Sequence, residues 1–175
     1  MKKESAWSAI GKPITVLAAI CIVVAALLGL THEATAPIIA ENARIEAEAA
    51  RAAVLEGAQG FEEIDCDKAA LGITGAWREV SGLGYVVTAS ARGYKGDVAV
   101  TVGFDGEGRI VGLRADVSTE TSGIGSKAGD AAYLDRFLGL ADSCGEVDTI
   151  TNATYSSAAV RQAVGAAMAA VNAIR

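Results

Sequence analysis

Gly84-Tyr-Val-Val-Thr-Ala-Ser-Ala-Arg92, Asp97-Val-Ala-Val-Thr-Val-Gly-Phe104 and Arg109-Ile-Val-Gly-Leu-Arg-Ala-Asp-Val117 are three runs rich in β-branched residues, parted by short turn-forming stretches. Branching at Cβ suits a pleated surface better than a helix, so these runs read as strands. Asp105-Gly106-Glu107-Gly108 links the last two as a hairpin turn. Such short connections imply an antiparallel sheet. Beyond them, Ser156 to Arg175 places Val160, Val164, Met168 and Val171 at spacings of four, four and three, with Ala at most other positions. That spacing predicts one amphipathic helix closing on the sheet. Strands followed by a packed terminal helix make the expected class α+β.

Toward the amino terminus the pattern changes before Trp77. Pro13 to Thr31 is a 19-residue run without a formal charge, dominated by Val, Ile, Leu and Ala. As a helix it would cover roughly 28 Å, enough to cross a bilayer's hydrocarbon core. A cleaved signal peptide is the competing reading, since Ala34-Thr35-Ala36 offers a small-x-small site. The apolar run is longer than a usual signal core, and Pro37 would directly follow the cut, so an uncleaved anchor is favoured. Lys2, Lys3 and Lys12 precede the span against one acid, Glu4, whereas His32, Glu33 and Glu41 follow it before the first cation, Arg44. Positive charge stays on the cytoplasmic side, which puts the amino terminus inside and the remainder outside. An Ala/Glu/Arg-rich helix is expected from Pro37, whose fixed φ suits a first helical turn, to about residue 56. The expected organisation is a cytoplasmic tail (1–12), a transmembrane helix (13–31), a helical stalk (32–59) and an extracytoplasmic domain (60–175).

The 175 residues carry a net charge of -6. With no basic stripe to neutralise phosphates, nucleic acid is not an expected partner. Cys21 lies in the apolar span, while Cys66 and Cys144 fall 78 positions apart in the outer domain. Those two could pair in an oxidising compartment, but spacing alone does not establish a bond. No Cys-x-x-Cys or His cluster points to a metal, and no nucleophile–base pair points to independent catalysis. The single histidine, His32, sits at the membrane edge.

In Asp148-Thr-Ile-Thr-Asn-Ala-Thr-Tyr-Ser-Ser157, six of ten residues are Asp, Thr or Ser, and they run into the start of the last helix. Such residues commonly cap helices by accepting the free N–H groups of the first turn. The same free amides and the positive end of the helix dipole also bind phosphate, and a hydroxyl there could be esterified to it. Both readings stand on the residues alone.

Asp148-x-x-Thr151-Asn152-Ala153-Thr154-x-Ser156 resembles the flavinylation motif of FMN-binding domains, Asp-x-x-Ser/Thr-Gly-Ala-Thr. Asn152 stands where that pattern has Gly; Asn is the non-glycine residue that best tolerates positive φ. The resemblance implies that Thr154 carries FMN through a phosphoester. A separate Mg-dependent flavin transferase, with FAD as donor, would make the bond. Glu120-Thr-Ser-Gly-Ile-Gly125 is similar to the family's Glu-Thr-Pro-Gly-Leu-Gly, departing at Ser122 and Ile124. It implies that Glu120 and Thr121 contact the flavin or its ribityl chain, with Gly123, Ile124 and Gly125 letting backbone approach the rings. Gly93-Tyr94-Lys95-Gly96 is a third, weaker similarity, read on its own as a turn.

One amino-terminal span, a Thr31–Ile39 stretch of Thr-x-x-x-Thr-Ala-Pro-Ile-Ile type and one FMN domain together resemble the RnfG components of Rnf electron-transport complexes. The resemblance implies an electron-carrier subunit of a membrane-bound, ion-translocating ferredoxin:NAD oxidoreductase, with the other Rnf subunits and the flavin transferase as partners. The related FMN-bearing component of the sodium-pumping NADH:quinone reductase shares the plan but is generally longer. An FMN domain of another extracytoplasmic reductase is the nearest alternative. A membrane-tethered pilin-like module is the rival from a different class, although Lys12 and Val16 stand where a pilin would want Phe-like and Glu residues.

Overall fold

The computed structural model describes residues 11–175, and most of the tail expected at 1–12 lies outside them. Two compact units divide the chain, Met1–Glu46 and Ala47–Arg175.

The first unit holds most of α1, a 43-residue helix from Lys12 to Val54. It is long and apolar enough to cross a membrane. Its large apolar side chains, Ile14 through Leu30, are exposed along the helix. Pro37, which suits a first helical turn, lies instead inside α1. A proline there removes one backbone hydrogen bond, yet Ala- and Leu-rich helix formers on both sides carry the helix through. The helical stalk also ends earlier than the expected boundary, at Val54, with Gly57 in the left-handed region at φ 85°.

The second unit is an antiparallel five-stranded sheet in chain order: β1 (Phe61–Glu63), β2 (Ile73–Glu79), β3 (Gly84–Arg92), β4 (Asp97–Asp105) and β5 (Ile110–Asp116). The α+β class and the last three strands, β3 to β5, agree with the sequence reading to within a residue or two at each end. Strands β1 and β2 were not anticipated. β1 is three residues long, and β2 contains Gly75 and Ala76, which dilute the strand signal. Gly75 has a packing reason: a Cβ there would meet the Trp77 ring at 2.2 Å. A register shift between Ile73 and Gly75 in the β2–β3 ladder further blurs the alternation. A short helix, α2 (Lys68–Leu71), precedes β2; the Asp67 side chain accepts from Ala70 N–H, and Gly72 ends it at φ 67°.

One face of the sheet receives the terminal helix, α4 (Thr154–Ile174), which packs against β2, β3 and β4. Val160, Val164, Met168 and Val171 are all buried, as their spacing required. Ala159, Ala163 and Ala167 on the same helix let it approach Val87, Ala89, Val100, Val102 and Phe104 closely. Each fully buried Val removes apolar area worth roughly 1.5–3 kcal/mol. The β5–α4 connection contains α3 (Ala131–Leu134) and two 3-10 turns, and it closes one end of this core. There Tyr133 meets Phe137 edge-on at 5.5 Å.

The last residues of α1 cover part of the other face, where Val54 and Leu55 join Val86, with Trp77 and Phe61 beside them. The Arg51 guanidinium lies 4.5 Å from the Trp77 ring centroid. Gly103 and Gly112 are direct partners across β4 and β5. A Cβ on either would meet the Val54 carbonyl oxygen, at 2.1 and 2.2 Å respectively. The paired glycines thus form a notch that admits backbone. Cys66 and Cys144 are free thiols, and Cys144 donates instead to the Arg161 carbonyl at 3.3 Å.

Glu79 is fully buried, and its carboxylate accepts from the Ser81 hydroxyl and amide, the Gln59 amide and the Leu83 amide. The Ser81 hydroxyl is the largest influence on its pKa, opposed by burial and supported by the three amides, and the result falls from 4.5 to about 2. A depressed folded-state pKa means that this contribution is complete above the unfolded value and is lost as pH falls through the folded one. Full-length protein in detergent carrying Glu79→Gln should therefore melt below wild type at pH 7. The gap should narrow as pH drops from about 4.5 toward 2. A gap that stays constant over that range in thermal melts would contradict this account.

Candidate functional site

Asn152 is the single non-glycine residue at positive φ among the described residues, at 68°. This turn swings the chain into Ala153, the N-cap of α4, at φ -120° and ψ 29°. No side chain caps the helix there, although six nearby residues have oxygens able to do so. The loop is instead held from behind. The Ser157 hydroxyl accepts from the Ile150 amide at 3.0 Å and donates to the Ala153 carbonyl at 2.8 Å. Tyr133 Oη donates to the Ser157 carbonyl at 3.1 Å, and Arg161 donates to the Val147 carbonyl at 3.2 Å. A rigid loop therefore delivers Thr154 to the first helical position, exposed, with first-turn amides unclaimed by any side-chain cap.

Thr154 lines a cleft of about 460 Å³. That is within the ~300–1,000 Å³ usual for small-molecule sites. Three segments build it: Tyr94 and Lys95 from the β3–β4 turn, Thr121, Ile124 and Gly125 from the segment after β5, and Asn152 to Ser156 from the start of α4. Lys95 is the only charged residue in the lining. Gly123 adopts φ 76° and its amide donates to the Ser126 hydroxyl at 2.9 Å, while the Ile124 and Ser126 amides both return to the Thr121 carbonyl at 3.2 Å. The loop is thereby folded on itself.

Glu120, 7% exposed, joins the three segments from behind the lining. One carboxylate oxygen accepts from the Lys95 amide at 3.0 Å and the Gly96 amide at 3.4 Å, and the other accepts from the Ser156 hydroxyl. Burial raises the Glu120 pKa, but the Ser156 hydroxyl and the amides of Lys95, Gly96 and Tyr94 outweigh it, leaving the carboxyl below its ordinary range. The surrounding glycines fit this role. A Cβ on Gly93 would meet Glu120 Oε1 at 2.7 Å, and one on Gly125 would meet Ser156 Oγ at 2.7 Å and Glu120 Oε2 at 2.9 Å.

Of the residues singled out from sequence, the cleft gathers Thr121, Ile124, Gly125, Asn152, Ala153, Thr154 and Ser156. Asp148, Thr151, Glu120 and Gly123 lie outside its lining. Tyr94, Lys95 and Tyr155 line it without having been singled out as binding residues; the Gly93–Gly96 turn and the unassigned position of the Thr154 motif carried their signal.

Residues 93–169 match the FMN-binding domain family model, and residues 1–54 match the model of the RnfG N-terminal region. The G subunit of the Na+-translocating ferredoxin:NAD+ oxidoreductase complex of Acetobacterium woodii is 30% identical over 93% of this chain and 92% of its own length. The chain belongs to the RnfG family. The FMN-binding match spans every residue of the cleft lining. The N-terminal match covers α1, so the RnfG fold here is an FMN-binding domain on a membrane anchor.

FMN fits this cleft on three counts. Its volume is adequate, the unclaimed first-turn amides of α4 with Lys95 suit a phosphate, and the Thr154 position faces the same space. Glu120 should be structurally necessary to it. Glu120→Ala leaves two amides and a buried hydroxyl without their acceptor, each costing about 1–3 kcal/mol. Denaturant unfolding should register a loss of that order, with Glu120→Gln milder because its carbonyl oxygen still accepts from Lys95. Equal stability of wild type and Glu120→Ala would remove the carboxylate from this role.

Proposed function

We propose that this chain is the electron-carrier subunit of an Rnf-type, ion-translocating ferredoxin:NAD oxidoreductase complex, relaying electrons through FMN held covalently on Thr154. The observation that carries this reading is the placement of Thr154, an exposed hydroxyl residue at the uncapped start of α4, in a cleft of flavin-compatible size. A phosphoester at this oxygen puts the phosphate against the first-turn amides and the positive end of the helix dipole. Lys95 adds the one cation of the lining. Asn152 supplies the left-handed turn before Thr154, the conformation that the motif's usual Gly allows at this same position.

When bound, FMN supplies the ability to take and pass on electrons, while the protein supplies position and electrostatics. The chain is the substrate of a separate Mg-dependent flavin transferase using FAD. The remaining Rnf subunits are its lasting partners. The amino terminus lies in the cytoplasm and residues 60–175 outside the cell membrane, a reading that the positive charge of Lys2, Lys3 and Lys12 before the span supports. Covalent attachment suits that location, because no cytosolic FMN pool could replace a lost cofactor there.

Protein co-expressed with a flavin transferase should gain the mass of one FMN, less water, and its denatured gel band should fluoresce under ultraviolet light. Thr154→Val should abolish both. Fluorescence that persists in the variant moves the attachment to another residue. Separately, alkaline phosphatase fused after Arg175 should be active in intact cells; inactivity, with activity of a cytoplasmic reporter at the same junction, reverses the orientation.

A further inference from the structure

Of the seven large hydrophobic side chains exposed outside α1 among the described residues, three, Tyr94, Ile124 and Tyr155, stand at the cleft. Tyr94 is 66% exposed and Tyr155 72%. Their ring centroids lie 6.3 Å apart with planes inclined at 42°. That separation is inside the ~4.5–7 Å range of aromatic pairs. The two rings come from elements distant in sequence, the β3–β4 turn and the second position of α4, and the backbone of each is anchored close by. Tyr94 precedes the Lys95 amide that Glu120 holds, within a turn closed by Gly93 N–H to the Gly96 carbonyl at 2.8 Å. Tyr155 follows Thr154 directly and precedes Ser156, whose hydroxyl Glu120 also holds. Neither phenol has a hydrogen-bond partner among the described residues. One buried carboxylate therefore holds the residue that follows each of two solvent-facing aromatic rings beside Thr154.

Resting on the Thr154 reading above, we infer that Tyr94 and Tyr155 form the aromatic wall against which the tricyclic ring of the bound flavin lies. The third lining segment adds only Thr121, Ile124 and Gly125, an aliphatic and backbone surface. A flat aromatic ring matches one aromatic and one aliphatic wall, whereas a phosphate or a ribityl chain gains nothing from either. The phosphate keeps to the α4 amides, and the ring takes the tyrosines.

A phenol packed on a flavin quenches its fluorescence: the excited flavin takes one electron from the phenol and returns it as the pair relaxes. Full-length protein co-expressed with a flavin transferase and purified in detergent is measured by intact mass, flavin fluorescence lifetime and visible circular dichroism. With the flavin mass retained, Tyr94→Leu and Tyr155→Leu should each raise emission several-fold, and the double variant most. The Tyr94→Phe, Tyr155→Phe pair should raise emission while keeping the wild-type dichroism, because the stacked rings remain but the electron donors are gone. The Leu pair should change both signals. Unchanged emission and dichroism in a Leu pair that carries the flavin mass overturns the tyrosine wall while leaving the attachment intact. Wild type without the flavin mass overturns the attachment, and the wall with it.

Discussion

The Glu120 carboxylate is the interaction on which the cleft depends. It is buried, so its charge must be met by donors, and the donors come from the β3–β4 turn and the first turn of α4. Since Glu120 itself belongs to the segment after β5, one side chain ties together the three stretches that line the cleft. Burial alone would favour the neutral acid; the Ser156 hydroxyl and the amides reverse that preference. The ionised form is the one that satisfies all of them at once. Gly93 and Gly125 are consequences of the same geometry, because any side chain on either would occupy space the carboxylate or its partner needs. Three short similarities that look independent along the chain are thus one packing solution in space.

That relation explains how much of the site was legible in the sequence. The helix start at Thr154 and the left-handed turn at Asn152 were legible because a turn preceding a helix has local rules, whereas the choice of Thr154 over a plain cap came only from the motif resemblance. Glu120 was readable as part of the site but not in its role, since its partners lie 25 and 36 residues away and no local pattern encodes them. Tyr94 and Tyr155 escaped as site residues for the same reason. Each looks like a surface aromatic until the fold sets their rings 6.3 Å apart. Among the strands, β3, β4 and β5 declared themselves through β-branched runs, whereas β2 hid behind Gly75, whose absent side chain makes room for Trp77.

The sheet's second face shows the same dependence on absent side chains. Gly103 and Gly112 weaken the β propensity of β4 and β5, a local cost that their neighbours Val102, Phe104 and Ile110 offset by burial. In return the Val54 backbone sits directly on the sheet, and Arg51 lies over Trp77 beside it. The end of α1 is therefore part of the core of the second unit rather than a tether to it. Pro37 illustrates the limit of local rules from the other side. Read alone it starts a helix, yet it sits within one, because cooperativity over 43 residues outweighs a single missing hydrogen bond.

The start of α4 is where local stability and function pull apart. With Asp148, Thr149, Thr151, Thr154, Ser156 and Ser157 in ten residues, a side-chain cap would be easy to form, and an N-cap Ala in place of Ser, Thr or Asp costs about 0.5–2 kcal/mol. The chain uses Ala153 nonetheless and spends its polar groups elsewhere: Ser157 on the loop behind, Ser156 on Glu120. What remains is a helix terminus with its donors and dipole facing the cleft and Thr154 beside them. An anion is the partner such a terminus lacks, and a phosphoester on Thr154 would place one there without any loss of translational freedom on binding. The missing cap and the proposed covalent flavin would then be two sides of one arrangement, in which the cofactor's phosphate would complete the helix that carried it.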